Sequence, residues 1–75
     1  MTVHELNLLQ GKNIKHYRKK KGWTQTTLAR ETGISLAAIS NFERGKNFVG
    51  GKSWVLISYV LGVEPWRLFY DKNDD

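Results

Sequence analysis

An all-α domain of about five short helices is what this 75-residue sequence predicts. Three observations carry the prediction. Apolar residues recur at helical spacing through most of the chain. The segments so patterned are punctuated by Gly22, Gly33, Gly45 and Gly62, each placed as a helix terminator. No stretch alternates apolar and polar residues as a half-buried strand would.

In the first helix, Leu6, Leu9, Ile14 and Tyr17 fall near one face, at intervals of 3, 5 and 3. Two starts compete. Thr2 with Glu5 is a capping box, close enough to the chain end to fray. Gly11 weakens a helix running through it, which points instead to a start near Leu8. Gly22 closes the helix after Lys19, Lys20 and Lys21, cations suited to a helix C-terminus. Thr24 caps a second helix, QTTLARET, and Gly33 ends it in the left-handed conformation. Ser35 caps a third, LAAISNFER, ended by Gly45. Lys46–Gly51 is a loop, after which Ser53 caps a fourth helix, WVLISYVL, ended by Gly62. Glu64-Pro65 opens a short fifth helix through Tyr70, with the only proline of the chain in its first turn. Residues 1–70 then form one domain, and residues 71–75 an acidic disordered tail.

Charge and composition exclude several classes. Residues 1–70 hold 11 basic and 4 acidic side chains, a balance of +7, while Asp71, Asp74 and Asp75 crowd the end. A basic body suits a polyanionic partner, although charge alone does not separate nucleic acid from mere solubility. There is no cysteine to staple the fold or hold a metal. His4 and His16 have no carboxylates placed to complete a cage, so they read as surface histidines; neither metal nor cofactor is expected. Met1–Gln10 has no basic start and no apolar run of a signal peptide. The apolar-rich run at 54–63 is about half the ~20 residues of a membrane helix, so a cytoplasmic location is expected. No nucleophile–base pair or carboxylate pair suggests an enzyme.

The stretch GKNFVGGKS, residues 45–53, resembles a phosphate-binding loop, G-x-x-x-x-G-K-S/T. Counting back five from Gly51 reaches Lys46, not glycine. The loop also follows a helix, where a nucleotide loop follows a strand. Any phosphate held here belongs to a different kind of molecule.

The informative constellation is TQTTLARETGISLAAISNFERGK, residues 24–46: two helices joined by a short glycine-containing turn. Ala29 is small where the helices approach, and Leu28, Ile34, Ile39 and Phe42 point inward. Ser35, Leu36, Ala37, Ser40, Asn41 and Arg44 are left for the outer face. This motif, at 24–45, with YRKKKGWTQ before it and LGVEPWRLF after the loop, resembles the phage-repressor-like helix-turn-helix family, the class of lambda repressor and Cro. The resemblance runs from about Leu9 to Phe69.

The resemblance implies that the helix at 35–44 enters the major groove of double-stranded DNA. It implies that Gln25, helped by Thr24, anchors to a phosphate, and that Lys46 and Asn47 hold the backbone again. Base reading falls to Leu36, Ala37, Ser40 and Asn41. The first two have thymine methyls as natural contacts, and Asn41 can bridge adenine N6 and N7. Leu36 has an alternative, which is to turn into the core. Arg18 and Glu43 stand where family members form a structural salt bridge. Relatives often carry proline and leucine around 49 and 51. This chain has Val49-Gly50-Gly51, leaving Phe48 or Trp54 to fill the space.

The C-terminal third holds more apolar side chains than a core this small absorbs. Trp54, Ile57 and Leu61 make one stripe; Leu56, Tyr59, Val60, Trp66, Phe69 and Tyr70 make a second. Related repressors dimerise through this region, which implies a homodimer; scattered surface aromatics are the plainer alternative. The expected function is a sequence-specific transcriptional regulator, a repressor or controller on a palindromic operator. A protein-interaction module such as an antitoxin, which would neutralise a protein partner through this aromatic surface, is the alternative.

Overall fold

The computed structural model describes residues 1–70; the acidic tail expected at 71–75 lies outside the described residues. The order is α1 (Val3–Lys20), α2 (Gln25–Thr32), α3 (Leu36–Glu43) and α4 (Gly51–Leu61), followed by a 3-10 turn at Pro65–Phe69. The expected fifth helix is therefore not an α-helix. Its bonds run Arg67 N–H to Glu64 O (3.0 Å) and Tyr70 N–H to Arg67 O (3.3 Å). A five-residue segment closed by such three-residue steps stays a 3-10 turn.

The capping box decides the start of α1. The Thr2 hydroxyl accepts from Glu5 N–H (3.1 Å), and the Glu5 carboxylate accepts from Thr2 N–H (2.8 Å). The second bond holds the Glu5 carboxyl below its usual range, so the box persists at neutral pH and fades as the pH falls through that lowered value. Gly11 does not interrupt the helix. It lies buried where α1 crosses α3, and a Cβ added there would overlap the Phe42 carbonyl oxygen and sit 2.9 Å from that of Glu43. The glycine is a point of close backbone approach.

The buried face of α1 also differs from the apolar stripe expected. Ile14 and Tyr17 are buried, but Leu6 and Leu9 are only half-buried. In their place the helix buries Asn7, Gln10, Asn13 and Arg18. Two of these amides satisfy backbone groups that no helix would. Gln10 donates to Val49 O (3.1 Å) and accepts from Val49 N–H (2.9 Å). Asn13 Nδ2 donates to Leu68 O (2.8 Å) and Tyr70 O (2.9 Å). A single helix thus clamps both irregular segments of the fold.

The Gln10 clamp explains the loop. Val49 is fully buried and is itself the apolar plug, whereas Phe48 is 48% exposed and Trp54 leans elsewhere. The Trp54 indole N–H donates to Pro65 O (2.6 Å), and its ring meets Phe69 edge-on at 4.4 Å. Helix α4 begins at Gly51 with Gly50 as its cap and no side-chain cap bond, so Ser53 is inside the first turn rather than before it. The bond from Trp54 N–H to Gly50 O (2.8 Å) closes that turn three residues earlier than a serine cap would. Every element contributes to one core of Ile14, Tyr17, Leu28, Ile39, Phe42, Val49, Ile57, Leu61 and Leu68.

Candidate nucleic-acid interface

Helices α2 and α3 are fixed by their caps and by the turn between them. Thr24 Oγ1 accepts from Thr27 N–H (3.1 Å), and Ser35 Oγ accepts from Ala38 N–H (3.1 Å). Gly33, at φ 74°, donates to Ala29 O (2.8 Å), the left-handed closure that the turn requires. Thr32 adds a bracket not anticipated from sequence: its hydroxyl donates to Leu28 O (2.8 Å) and accepts from Ile34 N–H (3.2 Å). Leu28 and Ile39 are fully buried between the helices, with Ala29, Ile34 and Ala38 packed beside them.

The outer face of α3 stands clear of this packing. Ser35, Leu36, Ala37 and Arg44 are exposed, and Ser40 and Asn41 are half-buried. Leu36, at 47% exposure, faces outward, which decides between its two expected orientations. Asn41 is not isolated: its Oδ1 accepts from Arg44 Nη2 at 2.9 Å. Gly45, at φ 72°, ends the helix, and Lys46 N–H returns to Asn41 O (3.0 Å). Lys46 and Asn47 then emerge exposed.

Glu43 joins three elements. Its carboxylate accepts from Arg18 Nε (2.7 Å) and Nη2 (2.9 Å), and from Gln25 Nε2 (3.1 Å). Arg18 Nη1 also donates to Trp23 O (2.7 Å). The ion pair expected from the family pattern is present, with side chains only 8% and 2% exposed. The Glu43 hydrogen bonds hold the Arg18 guanidinium above its already high pKa. The same carboxylate brings the Gln25 amide to the C-terminal end of α3, the end from which Lys46 leaves. One hydrogen of Gln25 Nε2 points at Glu43, and the amide nitrogen has a second donor to offer.

On the other side, Tyr59 is 82%, Trp66 50%, Tyr70 43% and Leu56 36% exposed. Val55, 55% exposed and outside both expected stripes, joins them. Val60 and Phe69 are half-buried. Val60 packs on the core, and Phe69 is the partner of the Trp54 ring. The Trp66 ring stacks edge-on with Tyr70 at 5.5 Å. Among the described residues, no group of three or more His, Cys, Asp or Glu is placed to hold a metal. No described helix is long and apolar enough to cross a membrane.

Two capped helices crossing through a glycine turn, with the second presenting an exposed face, define a helix-turn-helix regulator fold. A family model described as helix-turn-helix matches residues 14–65. The chain is 38% identical over 68 residues, 89% of its length, to the HTH-type transcriptional regulator DicA of Escherichia coli. It is 30% identical over 70 residues, 93% of its length, to an uncharacterized transcriptional regulator in the ATPase CF(0) region of Rhodospirillum rubrum. It spans 50% of the first relative and 65% of the second. Among solved structures, the hypothetical transcription factor NHTF from Neisseria shares the fold, with a TM-score of 0.87 at 24% identity, covering 99% of this chain and 85% of that one. The restriction-modification controller protein C.AhdI from Aeromonas hydrophila gives a TM-score of 0.80 at 28% identity, over 84% of this chain and 96% of its own. The chain belongs to the lambda-repressor-like (XRE-type) helix-turn-helix family of DNA-binding transcription regulators.

Proposed function

We propose that this chain is a sequence-specific regulator that binds a palindromic operator as a homodimer, in the manner of a repressor or controller protein. The observation that carries the reading is the outer face of α3. It is exposed, it contributes little to the core, and it lies beside the donors Gln25, Lys46 and Asn47. Those three side chains, with Thr24, hold phosphates and set the register of α3 in the major groove. Leu36 and Ala37 pack against thymine methyls, and Ser40, Asn41 and Arg44 supply polar contacts to base edges. The basic balance of residues 1–70 favours the same partner. Leu56, Tyr59, Val60, Trp66, Phe69 and Tyr70 form the surface that a second copy covers; a two-fold dimer reads two inverted half-sites. The names of DicA and C.AhdI support a regulatory role of this kind.

Selection of bound sequences from random duplex DNA tests the reading. An enriched inverted repeat is the expected result. Failure to enrich any sequence, together with stoichiometric capture of another protein on the aromatic surface, would instead establish an interaction module such as an antitoxin.

A further inference from the structure

Arg44 has no hydrogen-bond acceptor; its guanidinium offers only N–H donors. The atom of Asn41 that lies 2.9 Å from Arg44 Nη2 is therefore the amide oxygen, and the contact fixes which way the amide is turned. The two residues are three apart at the C-terminal end of α3, a spacing that places side chains together on one helical face. That face is the one offered to DNA.

The orientation changes what Asn41 can read. An asparagine that recognises adenine uses both ends of its amide, accepting from N6 and donating to N7. Here Oδ1 is turned to Arg44. One lone pair of Oδ1 is thereby taken, and beside its second the Nδ2 amino group and the other N–H groups of Arg44 make a surface in which donors predominate. Guanine offers two acceptors, N7 and O6, on its major-groove edge, whereas adenine would set its N6 amino group against these donors. The charge on Arg44 strengthens each bond to an acceptor. We propose, resting on the reading of α3 as the base-contacting helix, that Asn41 and Arg44 act as one donor unit selecting guanine at one base pair of each half-site, where a lone asparagine would select adenine.

The test is selection from random duplexes by the native chain, Asn41→Ala, Arg44→Ala and Arg44→Lys. The base pair in question is the one whose preference Asn41→Ala erases. Guanine is expected there for the native chain and for Arg44→Lys, whose ammonium is still donor-only. Adenine is expected for Arg44→Ala, because losing the guanidinium returns Oδ1 to the groove. At that position, replacing guanine by adenine should lower native affinity by ~5- to 150-fold, the range of one bidentate contact. Replacement by 7-deazaguanine, which lacks N7, should lower it by a part of that, and hypoxanthine, which keeps N7 and O6, should bind as guanine does. Adenine selected by the native chain would overturn the proposal. So would an Arg44→Ala protein weakened equally on selected and scrambled duplexes with its base preference unchanged, the behaviour of a phosphate contact. Loss of preference at every position, including those facing Leu36 and Ala37, would instead overturn base reading by α3 itself.

Discussion

Glu43 shows how one residue serves the whole motif. Its carboxylate, on the last residue of α3, receives two bonds from Arg18 on α1 and one from Gln25 at the start of α2. With both side chains of the ion pair almost fully buried, removing one partner leaves the other charged and desolvated. Glu43→Ala should therefore destabilise the fold by ~3–5 kcal/mol in a urea titration. Glu31→Ala should cost less than about 1 kcal/mol, because its ion pair with Arg30 is a 3.9 Å contact between exposed side chains. Equal losses would contradict the role given to Glu43. Because the Arg18 pKa is raised, its share of this stability is complete below its unfolded-state value and is lost as strong alkali carries the pH through the raised one. The Arg18–Glu43 pairing was legible because the family pattern supplies both positions. The Gln25–Glu43 and Asn41–Arg44 contacts were not, because residue type permits such bonds at those spacings without requiring them.

Among the elements, local signals were legible and distant ones were not. Thr2, Thr24 and Ser35 cap their helices through bonds to backbone groups three residues away, so the chemistry is contained in a short window. Ser53 misled because a serine inside a first turn looks the same in sequence as one preceding it. Nothing local marks Gln10 and Asn13 as buried, because their backbone partners lie 39 and 55 residues away. Gly11 read as a weakness in a helix, because its reason is the α3 backbone rather than anything in α1. Three substitutions separate these elements. Gly11→Ala should destabilise by ~1–3 kcal/mol through overpacking against backbone that cannot yield, although helix propensity alone favours alanine by ~1 kcal/mol. Gly51→Ala, where nothing lies within 4 Å of the added Cβ, should be neutral or stabilising. Gln10→Ala should strand both backbone groups of buried Val49, at ~1–3 kcal/mol for each group left without a partner. Its signature is faster amide exchange at Val49, with exchange in α2 raised only as far as global stability falls. Unchanged protection at Val49 would show that the clamp does not hold the loop.

At the scale of the molecule, two surfaces are left over once the core is built: the outer face of α3 and the aromatic surface of α4 and the 3-10 turn. The second was legible as a surplus of apolar residues, although which of them face outward depended on where α4 begins. Tyr59 is 82% exposed, so Tyr59→Glu leaves the core untouched. In sedimentation at micromolar concentration the native chain should be dimeric and Tyr59→Glu monomeric, with unchanged thermal unfolding of the isolated subunit. A native chain that stays monomeric at high concentration would assign the aromatic surface to something other than a second copy. The most direct test of the central claim, that α3 reads bases while its flanks hold phosphates, is a salt titration of binding to a selected operator and to a scrambled duplex. Lys46→Ala should weaken binding to both alike and flatten the plot of log affinity against log salt by ~0.9 per subunit, one released counterion each. Leu36→Ala and Asn41→Ala should leave that slope unchanged and weaken binding to the operator alone, by ~1–3 kcal/mol for the bidentate contact. If all three substitutions lowered affinity for operator and scrambled DNA by the same factor, α3 would not be reading sequence, and the central claim would be contradicted.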